Sequence, residues 1–173
     1  MARTIAAATV LAVALAACSP GSPRPGSADA PTADAPDAAA PAAANGAASL
    51  PTVTVYKSPT CGCCASWVDH LRAYGFPTET VETDDVQAVK AEHGVPAALQ
   101  SCHTAVVDGY VVEGHVPAAD VARLLAEAPE VAGLAVPGMP VGSPGMEQGD
   151  AVQPYDVLLV DGGRTSVFAS HGR

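Results

Sequence analysis

The sequence predicts an α/β domain in residues 51–173, and three observations support this class. Short runs of β-branched residues alternate with amphipathic helical segments, as in βαβ units. A cysteine cluster follows the first of these runs, where the first helix begins. Asp108-Gly109 separates two apolar runs, which is typical of a tight hairpin. We therefore expect a βαβ unit followed by a ββα unit.

The first strand and helix carry the clearest signals. Residues 52–56 are all β-branched or aromatic, and threonine alternates with valine along them, which predicts a strand. We expect Thr60 to cap the helix that follows and Gly75 to end it. The apolar stripe of this helix consists of Cys64, Val68 and Leu71.

The later elements complete a recognisable order. In chain order we expect a strand at 78–83, a helix at 86–93, strands at 104–107 and 110–112, and a helix that begins at Pro117. The order strand, helix, strand, helix, hairpin, helix is that of a thioredoxin-like domain, and cysteines at the start of the first helix occupy its redox position. A C-terminal extension follows, with a Gly/Pro/Met loop at 133–149 and a hairpin of strands 157–160 and 165–169.

The first fifty residues carry export signals instead of a fold. Residues 1–17 combine Arg3 with an apolar run too short for a membrane-spanning helix, which needs about 20 residues, so they predict a signal peptide. The run ends directly before Cys18, a pattern that resembles a bacterial lipobox, and we expect Cys18 to be lipidated. Residues 18–50 are rich in proline and alanine and predict a disordered tether. Ser19 after the cysteine favours the outer membrane of a Gram-negative bacterium, facing the periplasm.

The charge of the domain excludes one class of partner. Residues 51–173 hold six Lys/Arg against fifteen Asp/Glu, a formal charge of −9. A nucleic-acid-binding domain needs cations to neutralise phosphates, so no nucleic-acid partner is expected.

Four cysteines carry the chemistry of the domain. Cys61, Cys63 and Cys64 are nearly adjacent, and Cys102 follows within the same domain. Cys61 and Cys64 have the spacing of a redox dithiol, and a helix N-terminus favours thiolates there. Two disulfides, Cys61–Cys64 and Cys63–Cys102, are one interpretation, and a dithiol that exchanges electrons with other proteins is a second. A metal–thiolate cluster is a third, and it uses three or four sulfurs where a redox dithiol needs only two.

Further soft donors favour copper over hard cations. Cysteine and methionine together select Cu(I), and imidazole suits copper and zinc. Cys102 and His103 would point to opposite faces of a regular strand, so a shared site requires a bend between them. We expect His70 to be exposed, and we assign no role to His93 or His171. The additional candidate ligands are His103, His115, Met139 and Met146.

Several segments of the sequence are similar to one known family. They are Lys57-Ser58-Pro59-Thr60-Cys61-Gly62-Cys63-Cys64, Ser101-Cys102-His103-Thr104-Ala105, Glu113-Gly114-His115-Val116-Pro117, and the methionine-containing stretches around Met139 and Met146. In this order they resemble the CopG-like copper-resistance proteins, long catalogued as a domain of unknown function.

The resemblance implies a thioredoxin-like fold with a C-terminal extension and a multinuclear copper–thiolate site. It implies Cys61, Cys63, Cys64 and Cys102 as bridging ligands, with Cys61 and Cys64 also as the redox pair. The implied role is periplasmic copper tolerance with interconversion of Cu(I) and Cu(II), in contact with copper-export or redox proteins. A copper chaperone without turnover, a metal-free thiol–disulfide oxidoreductase and a zinc site are the alternatives.

Overall fold

A computed structural model describes residues 49–173. The predicted signal peptide, the lipidation site Cys18 and nearly all of the tether lie outside the described residues, so these assignments stay predictions. The elements are β1 (Val53–Lys57), α1 (Gly62–Tyr74), β2 (Thr78–Glu82), α2 (Val86–Glu92), a short 3₁₀ turn (Ala97–Leu99), β3 (Thr104–Val107), β4 (Tyr110–Glu113), α3 (Ala118–Glu127), β5 (Gly133–Ala135), β6 (Tyr155–Asp161) and β7 (Arg164–His171). The predicted α/β class and the order of the first seven elements are confirmed.

One mixed sheet of seven strands runs through this part of the chain, in the order β2-β1-β3-β4-β5-β6-β7. β1 pairs in parallel with β2 and antiparallel with β3, and β3 pairs antiparallel with β4. The turn between β3 and β4 is Asp108-Gly109, and both residues have positive φ, at 48° and 86°. Two positive φ values define the hairpin turn that matches the twist of the strands, so the Asp-Gly prediction is confirmed.

The two faces of β1 show why the helices lie where they do. Val53 and Val55 are fully buried and pack with Trp67 and Leu71 of α1, whereas the intervening residues point the other way. On that opposite face the ring of Tyr56 lies 5.7 Å from His93, at the end of α2. Because side chains alternate between the two faces of β1, α1 and α2 lie on opposite faces of this strand.

The predicted loop at 133–149 is wrong at its beginning, because Gly133–Ala135 form strand β5. β5 pairs in parallel with β4 and antiparallel with β6, so it joins the C-terminal hairpin to the rest of the sheet. Gly133 has φ of 152°, and a Cβ there would overlap the carbonyl oxygen of Val111. Only glycine permits this close approach of the two backbones.

The predicted cap of α1 is also wrong by one residue. Cys61, not Thr60, is the N-cap, and its Sγ accepts the backbone N–H of Cys64 at 3.3 Å. The helix ends at Gly75 as predicted, in the left-handed conformation that favours glycine. Within residues 49–173 no helix is long and apolar enough to cross a membrane.

Candidate metal centre

Four cysteine sulfurs converge where α1 begins. Cys61 is the N-cap of α1, and Cys63 and Cys64 lie in its first turn. Cys102 lies two residues before β3, which is adjacent to β1 in the sheet. Their Sγ atoms all lie within 4.8 Å of one another. The Cys63–Cys102 and Cys64–Cys102 sulfur separations are 3.8 and 3.4 Å. Sulfurs about 3.7 Å apart fit tetrahedral sites with metal–sulfur bonds of about 2.3 Å.

Two of these sulfurs are covalently joined. Cys61 and Cys64 form a disulfide, while Cys63 and Cys102 are free thiols. Of the two pairings considered from the sequence, the structure therefore has the first and not the second. A metal held by all four thiolates requires reduction of the Cys61–Cys64 bond.

The environment of Cys102 keeps its thiol protonated. Burial, followed by the neighbouring Cys63, raises the pKa of Cys102 to about 12. A bound metal ion must therefore replace this proton, and binding will release it. The nearby cation Lys57 points away from the cysteines to Glu82, with Nζ 3.1 Å from Oε1.

Two histidines complete a second group of donors around Cys102. The Cys102 Sγ lies 3.3 Å from Nδ1 of His103 and 3.1 Å from Nε2 of His115. Cys102 and His103 precede β3, which begins at Thr104, so they do not alternate across a strand. The bend required for both to face one site is present. His115 lies two residues beyond the end of β4 at Glu113.

Both histidine rings are held in the protein interior. His115 donates its Nδ1–H to the carbonyl oxygen of Pro144 at 2.8 Å, which leaves the Nε2 lone pair facing Cys102. His103 packs on Trp67 with ring centroids 4.4 Å apart, and its Nε2 has no hydrogen-bond partner among the described residues. Burial lowers the pKa of both imidazoles, so both are neutral and available as ligands near pH 7.

The two methionines differ in their surroundings. Met146 is partly buried and follows Gly145, whose backbone lies against the first turn of α1. The Met139 side chain is 52% exposed. Ligation by either sulfur stays a prediction.

The other three histidines are structural in this part of the chain. His70, expected to be exposed, is half-buried, and its Nε2 accepts the backbone N–H of Ala118 at the start of α3. Burial lowers the pKa of His70 because a charged ring would lose solvation. His93 is the C-cap of α2, and His171 contacts Asp120, with Nε2 2.7 Å from Oδ2.

A buried ion pair that the sequence analysis did not identify supports the Cys102 segment. Lys90 and Glu113 are each 1% exposed, and Nζ lies 2.6 Å from Oε1. Glu113 also accepts the backbone N–H of Ser101 at 2.6 Å and the hydroxyl of Thr104 at 2.7 Å. One carboxylate therefore anchors both ends of the Cys102-His103 dipeptide. The only sequence signal for this ion pair is that Glu113 shares a face of its strand with Val111. That signal is too weak to identify Lys90 as the partner.

The fold and the site define a class of protein: an α/β domain with clustered thiols and imidazoles at the start of its first helix. A family profile described as a protein of unknown function, DUF411, matches residues 99–146, which include Cys102 and both buried histidines. A search of curated proteins gives no match.

Two solved structures are similar over nearly the whole of their own length. Copper resistance protein CopG, form 2, is 47% identical, with a TM-score of 0.68 over 71% of this chain and 99% of that chain. Form 1 is also 47% identical, with a TM-score of 0.67 over 70% and 98%. The chain belongs to the CopG family of copper resistance proteins.

Proposed function

We propose that this chain binds copper and acts in copper resistance. The observation that carries the proposal is the convergence of four cysteine sulfurs within 4.8 Å. Thiolates are soft ligands and favour Cu(I) over hard cations. The relatives of known structure are themselves named for copper resistance, which agrees with this donor set.

In the proposed reduced form, Cys61, Cys63, Cys64 and Cys102 share the copper ions as bridging thiolates. The nearby donors His103, His115, Met139 and Met146 complete the coordination. The contacts of Cys102 with both imidazoles support this assignment for the histidines. The support for Met146 is the position of its loop beside α1, and for Met139 it is the family resemblance alone.

Cys61 and Cys64 also give the site a route for changing the oxidation state of copper. Oxidation of the two thiols to a disulfide releases two electrons and two protons, and two Cu(II) ions take up the electrons to become Cu(I). The disulfide at these positions supports the assignment, because the two sulfurs are joined at the start of a regular helix. Reduction of the disulfide by a periplasmic redox protein would restore the thiolates.

The location belongs to the same proposal. We infer a signal peptide at residues 1–17, a lipid anchor at Cys18 and a tether at 18–50 that holds the domain in the periplasm at the outer membrane. We also assign residues 53–127 to the thioredoxin-like class. The strand order β2-β1-β3-β4, with β1 and β2 parallel, supports that assignment.

Metal content measured on the reduced full-length chain, with copper and zinc offered together, tests the proposal. We expect more than one copper per chain and little zinc. Cys63→Ser should lower the copper content to one or less, because a bridging thiolate is lost. Cys18→Ser is the matched control, since it removes a cysteine outside the cluster and should leave the copper content unchanged. A chain that takes up no copper would overturn the proposal.

The disulfide favours one second candidate, a metal-free thiol–disulfide oxidoreductase. Such an enzyme needs only Cys61 and Cys64, of which Cys61, the N-cap of α1, is the less buried. It predicts that disulfide-exchange activity survives the joint substitution of Cys63 and Cys102 by serine. Loss of the disulfide-exchange activity in the chain that lacks Cys63 and Cys102 would favour copper binding over this second candidate.

A further inference from the structure

An open groove lies beside Cys61, between α1 and β2 at the edge of the sheet. Its volume is about 430 Å³. Sites for small molecules usually have volumes of about 300–1,000 Å³. In the described part of the chain β2 pairs only with β1, so its outer edge is free of other strands. The groove therefore has the size and the access of a small-molecule site.

One face of α1 forms a wall of this groove. Four residues that are three or four positions apart share that face and line the groove: Cys61, Ala65, Asp69 and Arg72. The opposite wall includes Glu82, the last residue of β2. The side chains of Asp69, Arg72 and Glu82 are all exposed. The walls are therefore charged, which suits a polar ligand.

Two of these charged groups retain free hydrogen-bonding atoms. Arg72 donates from Nη1 to Asp69 at 3.2 Å and from Nε to Thr78 at 2.7 Å, and its Nη2 has no hydrogen-bond partner among the described residues. Glu82 accepts the Lys57 ammonium at Oε1, at 3.1 Å, and its Oε2 has none in the same part of the chain. A ligand that carries both a carboxylate and an ammonium group is complementary to this pair of free atoms.

The groove gives access to one sulfur of the disulfide. Cys61 lines the groove, whereas Cys64 is fully buried. A disulfide is reduced when a thiolate attacks one of its two sulfurs. An incoming thiol in the groove therefore reaches Cys61, and the bond breaks towards Cys64. The negative charge then falls on the Cys64 sulfur in the first turn of α1, where the helix N-terminus stabilises it.

We propose that this groove binds a short peptide thiol, of two or three residues with a free carboxylate and a free ammonium group, which reduces the Cys61–Cys64 disulfide. The thiolate of the peptide attacks Sγ of Cys61, the disulfide bond breaks, and the Cys64 sulfur takes up a proton. A second molecule attacks the sulfur of the first, Cys61 is released as a thiol, and the two peptides leave joined by a disulfide. Two peptide thiols are thereby oxidised, and the protein disulfide receives their two electrons and two protons. This inference goes beyond copper binding, because it assigns a small-molecule site and a reductant that is not a protein.

Reduced glutathione is the test ligand, because this tripeptide carries one thiol, one ammonium group and two carboxylates. The uncharged thiol 2-mercaptoethanol is the control. The metal-free full-length chain carrying Cys18→Ser, with the Cys61–Cys64 disulfide formed, is mixed with either thiol without oxygen. Alkylation of the new thiols and mass spectrometry give the initial rate at which the disulfide opens. Each rate is expressed per thiolate present, so that the acidities of the two thiols do not enter the comparison.

Binding before exchange should make the two thiols behave differently. The rate with glutathione should saturate as its concentration rises, whereas the rate with 2-mercaptoethanol should rise in proportion to concentration. S-methylglutathione, which has the same charges but no thiol, should compete with glutathione and slow the reaction.

Substitutions of the two charged groups then locate the site. Arg72→Gln and Glu82→Gln should each lower the rate at low glutathione concentration about tenfold, as expected for the loss of one charge-assisted hydrogen bond. Neither should change the rate with 2-mercaptoethanol. Arg164→Gln is the matched control, since Arg164 pairs with Asp161 at an exposed turn and does not line the groove, and it should change neither rate. Urea unfolding midpoints identify any variant that fails to fold, and in that event the saturation and competition of the unsubstituted groove still decide the question.

The outcomes separate this inference from the proposed function. Rates proportional to concentration for both thiols, or a disulfide that glutathione does not open, overturn the inference. Saturation by glutathione that is unchanged in folded Arg72→Gln and Glu82→Gln chains overturns it as well, because the ligand then binds elsewhere. A reduced chain that takes up no copper, while glutathione still saturates the reaction, overturns the proposed function and supports the groove as a binding site.

Discussion

Gly145 shows how one residue fixes the approach of the C-terminal loop to the cysteines. Its φ is +84°, and a Cβ there would lie 2.6 Å from the carbonyl oxygen of Cys63 and 2.9 Å from the backbone nitrogen of Trp67. Pro144, immediately before it, accepts the hydrogen bond from His115. The absence of a side chain therefore lets the loop contact α1 and orient a histidine at the same time.

Replacing Gly145 by alanine should damage this contact more than it strains the backbone. We expect Gly145→Ala to lower the free energy of unfolding by about 2–5 kcal/mol, because left-handed strain contributes about 1–2 kcal/mol and overpacking about 1–3 kcal/mol. Gly162→Ala is the matched control, since its φ of +52° is also left-handed but no atom lies within 4 Å of the added Cβ. It should lose only about 1–2 kcal/mol. Urea unfolding of both variants gives the comparison, and equal losses would contradict the packing argument.

At the level of elements, a buried ion pair connects α2, β4 and the segment before β3. Lys90 lies on α2 and Glu113 at the end of β4, and the Glu113 carboxylate also holds Ser101 and Thr104. A charged pair in the interior is not expected to add much stability over an apolar pair. Its value here lies in fixing the backbone on both sides of Cys102 and His103.

Breaking one side of this pair should be costly. We expect Glu113→Gln to lower the free energy of unfolding by about 3–5 kcal/mol, because Lys90 would be left as an uncompensated buried charge. Asp161→Asn is the control, since its ion pair with Arg164 is exposed and should matter by less than about 1 kcal/mol. Chemical denaturation measures both variants. Similar small losses in the two would mean that the interior pair is hydrated or relaxed.

The sequence predicted the elements that have strong local signals and missed those defined by distant contacts. The Asp108-Gly109 turn and the end of α1 at Gly75 were predictable, because each follows from the backbone conformation of one or two residues. β5 was not, since a three-residue segment that starts with Gly133 becomes a strand only when β4 and β6 supply its partners. The same applies to the contact between Lys90 and Glu113, which are 23 positions apart.

In the candidate site, too, the features with local signals were predicted and those that depend on distant contacts were not. The grouping of three cysteines at a helix start was visible in the sequence, whereas the approach of His115 to Cys102 depends on the end of β4 and on the Pro144 carbonyl. The capping role of His70 was missed because its partner, the start of α3, is 48 positions away.

For the molecule as a whole, buried titratable groups set the pH range in which the metal-free fold is stable. His70, His103 and His115 all have lowered pKa values, chiefly through burial. Cys102 and Tyr155 have pKa values raised to about 12, again chiefly through burial. In each case the folded state favours the neutral form of the group.

Stability should therefore decline on both sides of neutrality. As pH falls below about 6.5, the unfolded histidines bind protons before the folded ones, and each group removes up to about 1.4 kcal/mol per pH unit. Above the ordinary thiol pKa of 9.0, the unfolded Cys102 loses its proton first, and stability falls again as pH rises toward about 12. Urea unfolding of the metal-free chain at pH 5.5, 7.5 and 9.5 checks this. A free energy of unfolding at pH 5.5 equal to that at pH 7.5 would contradict it.

The packing of Trp67 gives the chain an internal optical reporter. It is the sole tryptophan of the sequence, and its indole N–H donates to the carbonyl oxygen of Val116 at 2.8 Å. Its ring packs against His103 with the two planes tilted by 40°. Indole emission is quenched steeply with proximity to copper, so light emitted by the unlabelled protein will register the arrival and departure of the ion. Occupancy can then be followed in real time, without attaching a dye or altering a single side chain.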